Sequence, residues 1–246
     1  MEELNFIIGD IPAKRFCAEK ADKAVLALHG FGGSKDSWAI KGLAQRLCPK
    51  GYDVVAIDWR CHGERQGEPS ELTIENCVED MRIAERWIAE NISQQYAIFA
   101  TSFGGFVTLN RLEMFPCNAQ KVMLRVPAVS MPDSILRIAK LTDPDFTLEK
   151  AAETGCIRTM VGIDVPYSFY ESIKERSCVR ECRAWSEIPM AVVYARNDEL
   201  VATEETEEFL RLNPAVRSMM VESGHRMAEE GQLDRALDYA MEFIVG

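Results

Sequence analysis

Short apolar runs alternate along the chain with segments whose apolar residues recur every three or four positions. The apolar runs, which are typical of buried strands, are LNFII, AVLAL, DVVAID, YAIFA, KVMLRV, MAVVYA and RSMMVE. After the first run, each strand pattern alternates with a helical one. This alternation predicts an α/β fold with a mostly parallel central sheet and helices on both faces. A length of 246 residues fits one such domain.

Two of the helical segments show which side should face the sheet. Residues 34–47 offer Ser and Asp for capping and place Trp38, Leu43 and Leu47 on one apolar side. Residues 71–91 space their apolar side chains at threes and fours, so that one stripe should face the sheet and the acids should face water.

One long stretch interrupts the alternation. Residues 127–187 lie between the KVMLRV and MAVVYA strands and carry two short helical patterns around CIRTMVGIDV. We therefore expect a core made of residues 1–126 and 188–246. Residues 127–187 are expected to form a short lid insertion over one end of the sheet.

Composition and charge limit the expected partners and location. The chain is 47% hydrophobic and 27% charged, with a net charge of −11 and no cluster of Lys or Arg. Such a charge repels nucleic-acid phosphates and anionic lipid, so neither nucleic acid nor a membrane is expected as a partner. Apolar runs fall well short of the roughly 20 residues that span a bilayer, and the start MEELNFIIGDIPAKRF lacks the basic region of a secretory signal. A cytoplasmic protein is the expectation, and the oligomeric state is left open.

The eight cysteines show neither a disulfide framework nor a zinc spacing, because no CxxC pair occurs. They are expected to be reduced and mostly buried. Cys178 and Cys182 would share one face of a helix, but no histidine is near them in the sequence. We expect no metal site there.

Ser102 lies where a strand pattern becomes a helical one. YAIFA precedes it and FGGFVTLNRLEMF follows it, with the small residues Ala100 and Gly104 two positions away on either side. This is the spacing of the G-x-S-x-G nucleophile elbow, with Ala in place of the first glycine. The alternative is an ordinary serine at a helix start.

A glycine-rich turn after the AVLAL strand supplies candidate hydrogen-bond donors. In HGFGG the backbone is free to turn N–H groups inward, and the carboxyl ends of parallel strands gather at one edge of a sheet. The N–H of Phe31 can then meet the N–H of Phe103 and form an oxyanion hole. A simple tight turn explains the same glycines.

A candidate base and acid follow later strands. His225 in SGH comes after RSMMVE, and Asp198 in ARNDELV comes after MAVVYA. Asp164, Glu199 and Glu222 are rival acids. Glu199 should point away from the group that Asp198 reaches, and the other two follow the wrong elements.

Taken together, HGFGG, DWRCHG, ATSFGG, ARNDELV and SGH resemble the α/β-hydrolase superfamily, in its order and over nearly the whole chain. The resemblance implies the α/β-hydrolase fold and a catalytic triad of Ser102, Asp198 and His225 that needs no metal or organic cofactor. It also implies structural roles for His29 and His62. One departure is Cys61, which stands in DWRCHG where the superfamily has glycine.

The insertion carries a second, looser resemblance. TGCIRTMVGIDVPYSFYESIKE is similar to the compact lid of cinnamoyl and feruloyl esterases, a small hairpin followed by a helix, and the chain also loosely resembles monoacylglycerol lipases. Met160, Tyr167, Phe169 and Tyr170 would then line an acyl or aryl pocket, although packing of the lid explains them equally well.

The expected function is hydrolysis of small-molecule carboxylic esters through an acyl-enzyme on Ser102. Two alternatives remain. One is a hydrolase of another acyl bond, in a thioester, a monoacylglycerol or an amide. The other is a non-catalytic, ligand-binding relative.

Overall fold

The computed structural model describes residues 1–160 and 163–246. The strands in these residues are β1 (Glu2–Ile8), β2 (Ile11–Cys17), β3 (Lys23–Leu28), β4 (Tyr52–Ile57), β5 (Tyr96–Thr101), β6 (Val122–Arg125), β7 (Cys156–Ile157), β8 (Val165–Pro166), β9 (Met190–Ala195) and β10 (Arg217–Val221). The α-helices are α1 (Trp38–Leu47), α2 (Ile74–Asn91), α3 (Phe103–Met114), α4 (Met131–Thr142), α5 (Leu148–Thr154), α6 (Tyr167–Ile173), α7 (Thr203–Leu212) and α8 (Gln232–Val245).

Eight of these strands form one sheet in the order β1-β2-β4-β3-β5-β6-β9-β10. The pairs β1–β2 and β2–β4 are antiparallel, and all the other neighbours are parallel. The predicted mostly parallel sheet is confirmed. Its parallel strands point the same way, so the loops that follow β3, β5, β6, β9 and β10 meet at one edge.

Helices cover both faces of this sheet. The buried residues of α1 and α8 share one apolar cluster with one face of the strands, and those of α2 and α3 share a second cluster with the other face. Strand β4 is buried along its whole length, as expected for a central strand covered on both sides.

Strand β2 was not predicted. Pro12, Lys14 and Arg15 break its apolar pattern, yet it pairs with β1 through a two-residue turn in which Gly9 has a φ of 65°. Glycine reaches this left-handed conformation without the steric cost of a Cβ. The Gly-Asp turn between two apolar residues was the signal that a hairpin begins there.

Two predictions about helix faces were wrong in part. Trp38 is the first residue of α1 and is 84% exposed, while Leu43 and Leu47 are buried as predicted. In α2 the acids do not all face water, because Asp80 and Glu85 are buried. Asp80 pairs with two arginines and Glu85 with one, so their burial does not leave a bare charge.

Residues 127–187 connect β6 to β9 at the edge of the sheet where the loops gather. The small hairpin and following helix predicted from the sequence are confirmed as β7, β8 and α6. Three α-helices, α4, α5 and α6, stand where two short helical patterns were predicted, and Cys178 and Cys182 lie outside any helix. Buried apolar residues of this segment belong to the same cluster as α2 and α3. Its role as a separate lid stays a prediction.

In the described part of the chain, no helix is long and apolar enough to cross a membrane.

Candidate active site

Ser102 occupies a strained turn between β5 and α3. Its backbone φ is 51° and its ψ is −111°, a conformation that is costly for a residue with a Cβ. The turn is held because the Ser102 N–H donates to the carbonyl oxygen of Arg125, 3.0 Å away. A Cβ on Gly104 would lie 2.9 Å from the carbonyl oxygen of His29, so only glycine allows α3 to pack this closely against the end of β3. The side chain of Ser102 therefore projects from a fixed point above the sheet.

A continuous chain of hydrogen bonds links Ser102, His225 and Asp198. The Ser102 Oγ lies 3.1 Å from Nε2 of His225, and Nδ1 of the same ring lies 2.9 and 2.8 Å from the two carboxylate oxygens of Asp198. Oδ1 of Asp198 also accepts from the N–H groups of Leu200 and Val201, which fixes the carboxylate. With Nδ1–H donating to Asp198, the Nε2 lone pair faces the serine hydroxyl. Nε2 of His225 is therefore placed to accept the proton of the Ser102 hydroxyl.

The rival acids lie elsewhere. Glu199 accepts a hydrogen bond from the backbone N–H of His225 at 3.0 Å, so it holds the loop rather than the imidazole ring. Glu222 pairs with Arg196, and Asp164 accepts from the N–H of Thr159 in the hairpin.

Two backbone donors lie next to Ser102. A Cβ on Gly30 would be 3.2 Å from the Cβ of Ser102, which shows how closely the HGFGG turn approaches the serine. Within residues 1–160 and 163–246, the N–H groups of Phe31 and Phe103 have no hydrogen-bond partner. Their two rings are in edge contact with centroids 5.5 Å apart. Free N–H groups beside a nucleophile are able to stabilise a negative oxygen.

His29 and His62 support this turn from behind. Burial lowers the pKa of His29 to about 3, so the ring is neutral. It fits between the Gly30 carbonyl oxygen, 2.7 Å from Nδ1, and the N–H of Trp59, 3.3 Å from Nε2. The His62 ring stacks on that of Phe103, and burial lowers its pKa as well. Both rings are packing elements at neutral pH.

A cavity of about 410 Å³ opens beside Ser102. One wall comes from α4 through Met131, Ser134 and Ile138. The exposed Trp38 stands at its side, and Arg125 lines it from the end of β6. Sequence reasoning missed these residues, although α4 carries a strong helical pattern directly after a strand end that faces the site.

The four residues predicted to line a substrate pocket do not line this cavity. Met160 is 53% exposed, whereas Phe169 is fully buried against the rings of Phe31 and Phe103. Tyr170 is also buried, and its ring contacts that of Tyr167. The packing alternative thus describes Phe169, because its ring supports the turn that carries the two free N–H groups.

The chain is similar to hydrolases in both sequence and structure. A family model described as serine aminopeptidase, S33, matches residues 19–146, just over half of the chain. A segment of 91 residues is 30% identical to the quorum-quenching protein AidA of Acinetobacter baumannii (strain MDR-ZJ06). This match covers 35% of the chain, and the chain spans only 30% of the length of that curated relative.

Solved structures resemble the chain over almost its whole length. A putative hydrolase from Agrobacterium vitis S4 has a TM-score of 0.80 at 14% identity, covering 99% of this chain and 98% of that one. Est1E of Butyrivibrio proteoclasticus, solved with ferulic acid, has a TM-score of 0.77 at 14% identity and 98% coverage of both chains. The Pyrococcus furiosus esterase Pf2001 has a TM-score of 0.73 at 18% identity, covering 100% of this chain and 91% of that one. At these identities the likeness shows the α/β-hydrolase fold.

Proposed function

The chain belongs to the serine aminopeptidase S33 family of α/β-hydrolases, and from this premise we propose that it cleaves small carboxylic esters through an acyl-enzyme on Ser102. The observation that carries the proposal is the unbroken hydrogen-bonded chain from Ser102 through His225 to Asp198. Two free backbone N–H groups beside the serine, on Phe31 and Phe103, support it.

In the proposed mechanism, His225 takes the Ser102 proton while Oγ attacks the ester carbonyl. The carbonyl oxygen becomes negative and is stabilised by the N–H groups of Phe31 and Phe103. His225 then returns the proton to the departing alcohol, which leaves an acyl-serine. Asp198 keeps the imidazole in the required tautomer and stabilises its charged form. Water activated by His225 releases the acid and restores the Ser102 hydroxyl.

The charges of the cavity favour an ester over the substrate named in the family description. An aminopeptidase has to bind the free ammonium group of its substrate, and a carboxylate is the natural partner of a desolvated ammonium. Among the described residues that line the cavity there is no Asp or Glu, whereas Arg125 and Arg226 are present. A positive amino terminus would meet charges of its own sign here.

Covalent labelling by a fluorophosphonate, together with hydrolysis of p-nitrophenyl butyrate, tests the proposal. The wild-type protein should be labelled and should hydrolyse the ester, and Ser102→Ala should lose the label and lower kcat by about 10⁴-fold or more. Circular dichroism should show that the variant keeps its fold. Absence of labelling in the wild-type protein would instead indicate a non-catalytic, ligand-binding relative. Labelling without turnover of any oxygen ester would move the proposal to thioesters or amides.

A further inference from the structure

Arg125 is a buried cation beside Ser102 that contacts no carboxylate among the described residues. Its side chain is 6% exposed and lines the cavity from the last position of β6. Burial lowers its pKa to about 10, so the guanidinium remains charged at neutral pH. Within residues 1–160 and 163–246 it forms no ion pair; the charge of Asp198 acts on it only without direct contact. An uncompensated buried charge is costly, which calls for an account of what it binds.

The donors of this guanidinium are only partly used. Its Nη2 donates to the carbonyl oxygen of Arg226 at 2.9 Å and, at 3.5 Å, to that of His225. Nε is buried with no partner among the described residues, and Nη1 has none either. A guanidinium carries five N–H donors arranged to hold a carboxylate through two parallel hydrogen bonds. Nη2 belongs to both edges that could hold a carboxylate in this way, so the contacts to the His225 loop leave Nη1 as the donor available at the cavity.

Two residues that line the same cavity also carry hydroxyl groups without partners among the described residues. Thr101 sits opposite Arg125 in the register of β5 and β6 and directly precedes Ser102, and Ser134 lies one turn into α4. Both Oγ atoms are buried and have no hydrogen-bond partner in the described residues. Three of the buried polar atoms without a partner in the described residues thus belong to residues around this one cavity, and each such group calls for an explanation.

We propose that the ester cleaved at Ser102 carries a carboxylate, which binds the unpaired Nη1 of Arg125. This inference rests on the proposed function, because it names the substrate class of the same site. The reaction is then the hydrolysis of a half-ester: water and the ester give a free alcohol and a second carboxylic acid. Met131 and Ile138 leave apolar space for the carbon chain between the two ends.

Pairs of esters that differ only in charge test the inference. One pair places the charge on the acyl side, with mono-p-nitrophenyl adipate against p-nitrophenyl isooctanoate, in which an isopropyl group replaces the carboxylate. A second pair places it on the alcohol side, with p-carboxyphenyl butyrate against p-isopropylphenyl butyrate. Uncatalysed rates are subtracted. Wild-type protein should prefer the charged member of one pair in kcat/KM, mainly through a lower KM.

Arg125→Gln should lower that charged-to-neutral ratio by about 10- to 100-fold, the range expected for loss of a charge-assisted hydrogen bond. Using the ratio removes any effect that Arg125 has on both esters through the His225 loop. Arg125→Lys should restore part of the preference because it keeps the charge. Arg183→Gln removes one positive charge from an exposed site and should leave the ratio unchanged.

Two results would overturn the inference while leaving the proposed function intact. One is Ser102-dependent hydrolysis of the neutral esters with no preference for either charged partner. The other is an equal loss on charged and neutral esters in Arg125→Gln, which would make Arg125 a positioning residue for the His225 loop. Failure of the wild-type protein to react with fluorophosphonate and with every ester would instead reject the proposed function, and the inference with it.

Discussion

Asp198 and Glu199 are adjacent carboxylates that contact His225 at different atoms. Asp198 receives the ring Nδ1–H, whereas Glu199 receives the backbone N–H. We therefore expect Asp198→Asn to reduce kcat by about 10³- to 10⁴-fold, because an amide favours the wrong imidazole tautomer. Glu199→Gln keeps an acceptor for the backbone N–H and should cost far less. Steady-state kinetics on p-nitrophenyl butyrate measures both, and the reverse ranking would mean that Glu199 is the working acid.

Cys61 stands where the resemblance to α/β-hydrolases implies glycine, and its φ of 61° lies in the left-handed region. A residue with a Cβ pays about 1 kcal/mol or more in this region. Cys61→Ala removes the weak Sγ contacts to the Gly67 and Glu68 carbonyls but keeps the Cβ, whereas Cys61→Gly removes both. Urea unfolding should find the glycine variant more stable than the alanine variant by about 1 kcal/mol. Equal stability, or a less stable glycine variant, would argue that the turn does not constrain this residue.

Helices α4 and α6 of the connecting segment have different relations to the cavity. Ile138 of α4 lines it, whereas Phe169 of α6 is packed behind the HGFGG turn. Ile138→Ala should enlarge the cavity and shift the kcat/KM ratio toward longer acyl chains by about 10-fold, within the 1 to 3 kcal/mol that such apolar contacts provide. Phe169→Ala should lower the free energy of unfolding by about 3 to 5 kcal/mol and reduce kcat/KM for all esters by a similar factor.

Leu141→Ala is the matched control for α4, because Leu141 is on its exposed side. It should leave the chain-length profile of p-nitrophenyl esters unchanged. If Phe169→Ala changes that profile while Ile138→Ala does not, substrate selection belongs to α6, as the sequence first suggested.

At the scale of elements, sequence pattern predicted those strands of the main sheet that contain an apolar run and missed β2, whose apolar residues are interrupted. Strand β2 lies next to the sheet edge and carries Lys14 and Arg15, so its pattern is only partly apolar. Trp38 is apolar by type but begins α1 on the side of the cavity, where helical periodicity carries no information about exposure. Hydrophobic periodicity indicates which side chains are buried against the sheet. The residues of β2 form a hairpin and Trp38 borders a cavity, so periodicity does not identify them.

At the scale of the molecule, the parallel sheet explains why distant candidate residues meet. Ser102, Asp198 and His225 each follow a strand, and the strand order β5-β6-β9-β10 brings their loops to one edge. That convergence could be predicted because it depends only on strand direction. Arg125 could not be found in the same way, since a charged residue ending a strand has many possible partners. Only the three-dimensional contacts show which of its donors are unused.

The stability of the whole chain should depend on pH through His29. Its pKa falls from an ordinary value of 6.5 to about 3 in the fold, mainly through burial and further through the charges of His62 and Lys35. Between these two values the unfolded chain binds a proton that the folded chain does not, so falling pH favours unfolding. The buried neutral ring does not lower the free energy of unfolding above pH 6.5. Between pH 7 and pH 5, that free energy should decrease by about 2 kcal/mol.

Urea unfolding of the wild-type protein and of His29→Gln at several pH values isolates this effect. Glutamine can donate to the Gly30 carbonyl and accept from the Trp59 N–H, as the neutral imidazole does, but it does not titrate. Subtracting one stability curve from the other cancels the remaining groups, including Glu85 and Glu205, whose pKa values are raised by burial and act in the opposite direction. Below pH 6, the slope of this free-energy difference against pH should correspond to the uptake of close to one proton per molecule on unfolding. A difference that does not vary with pH would show that His29 titrates normally in the fold, and the HGFGG turn would then have to open enough to admit water to the ring.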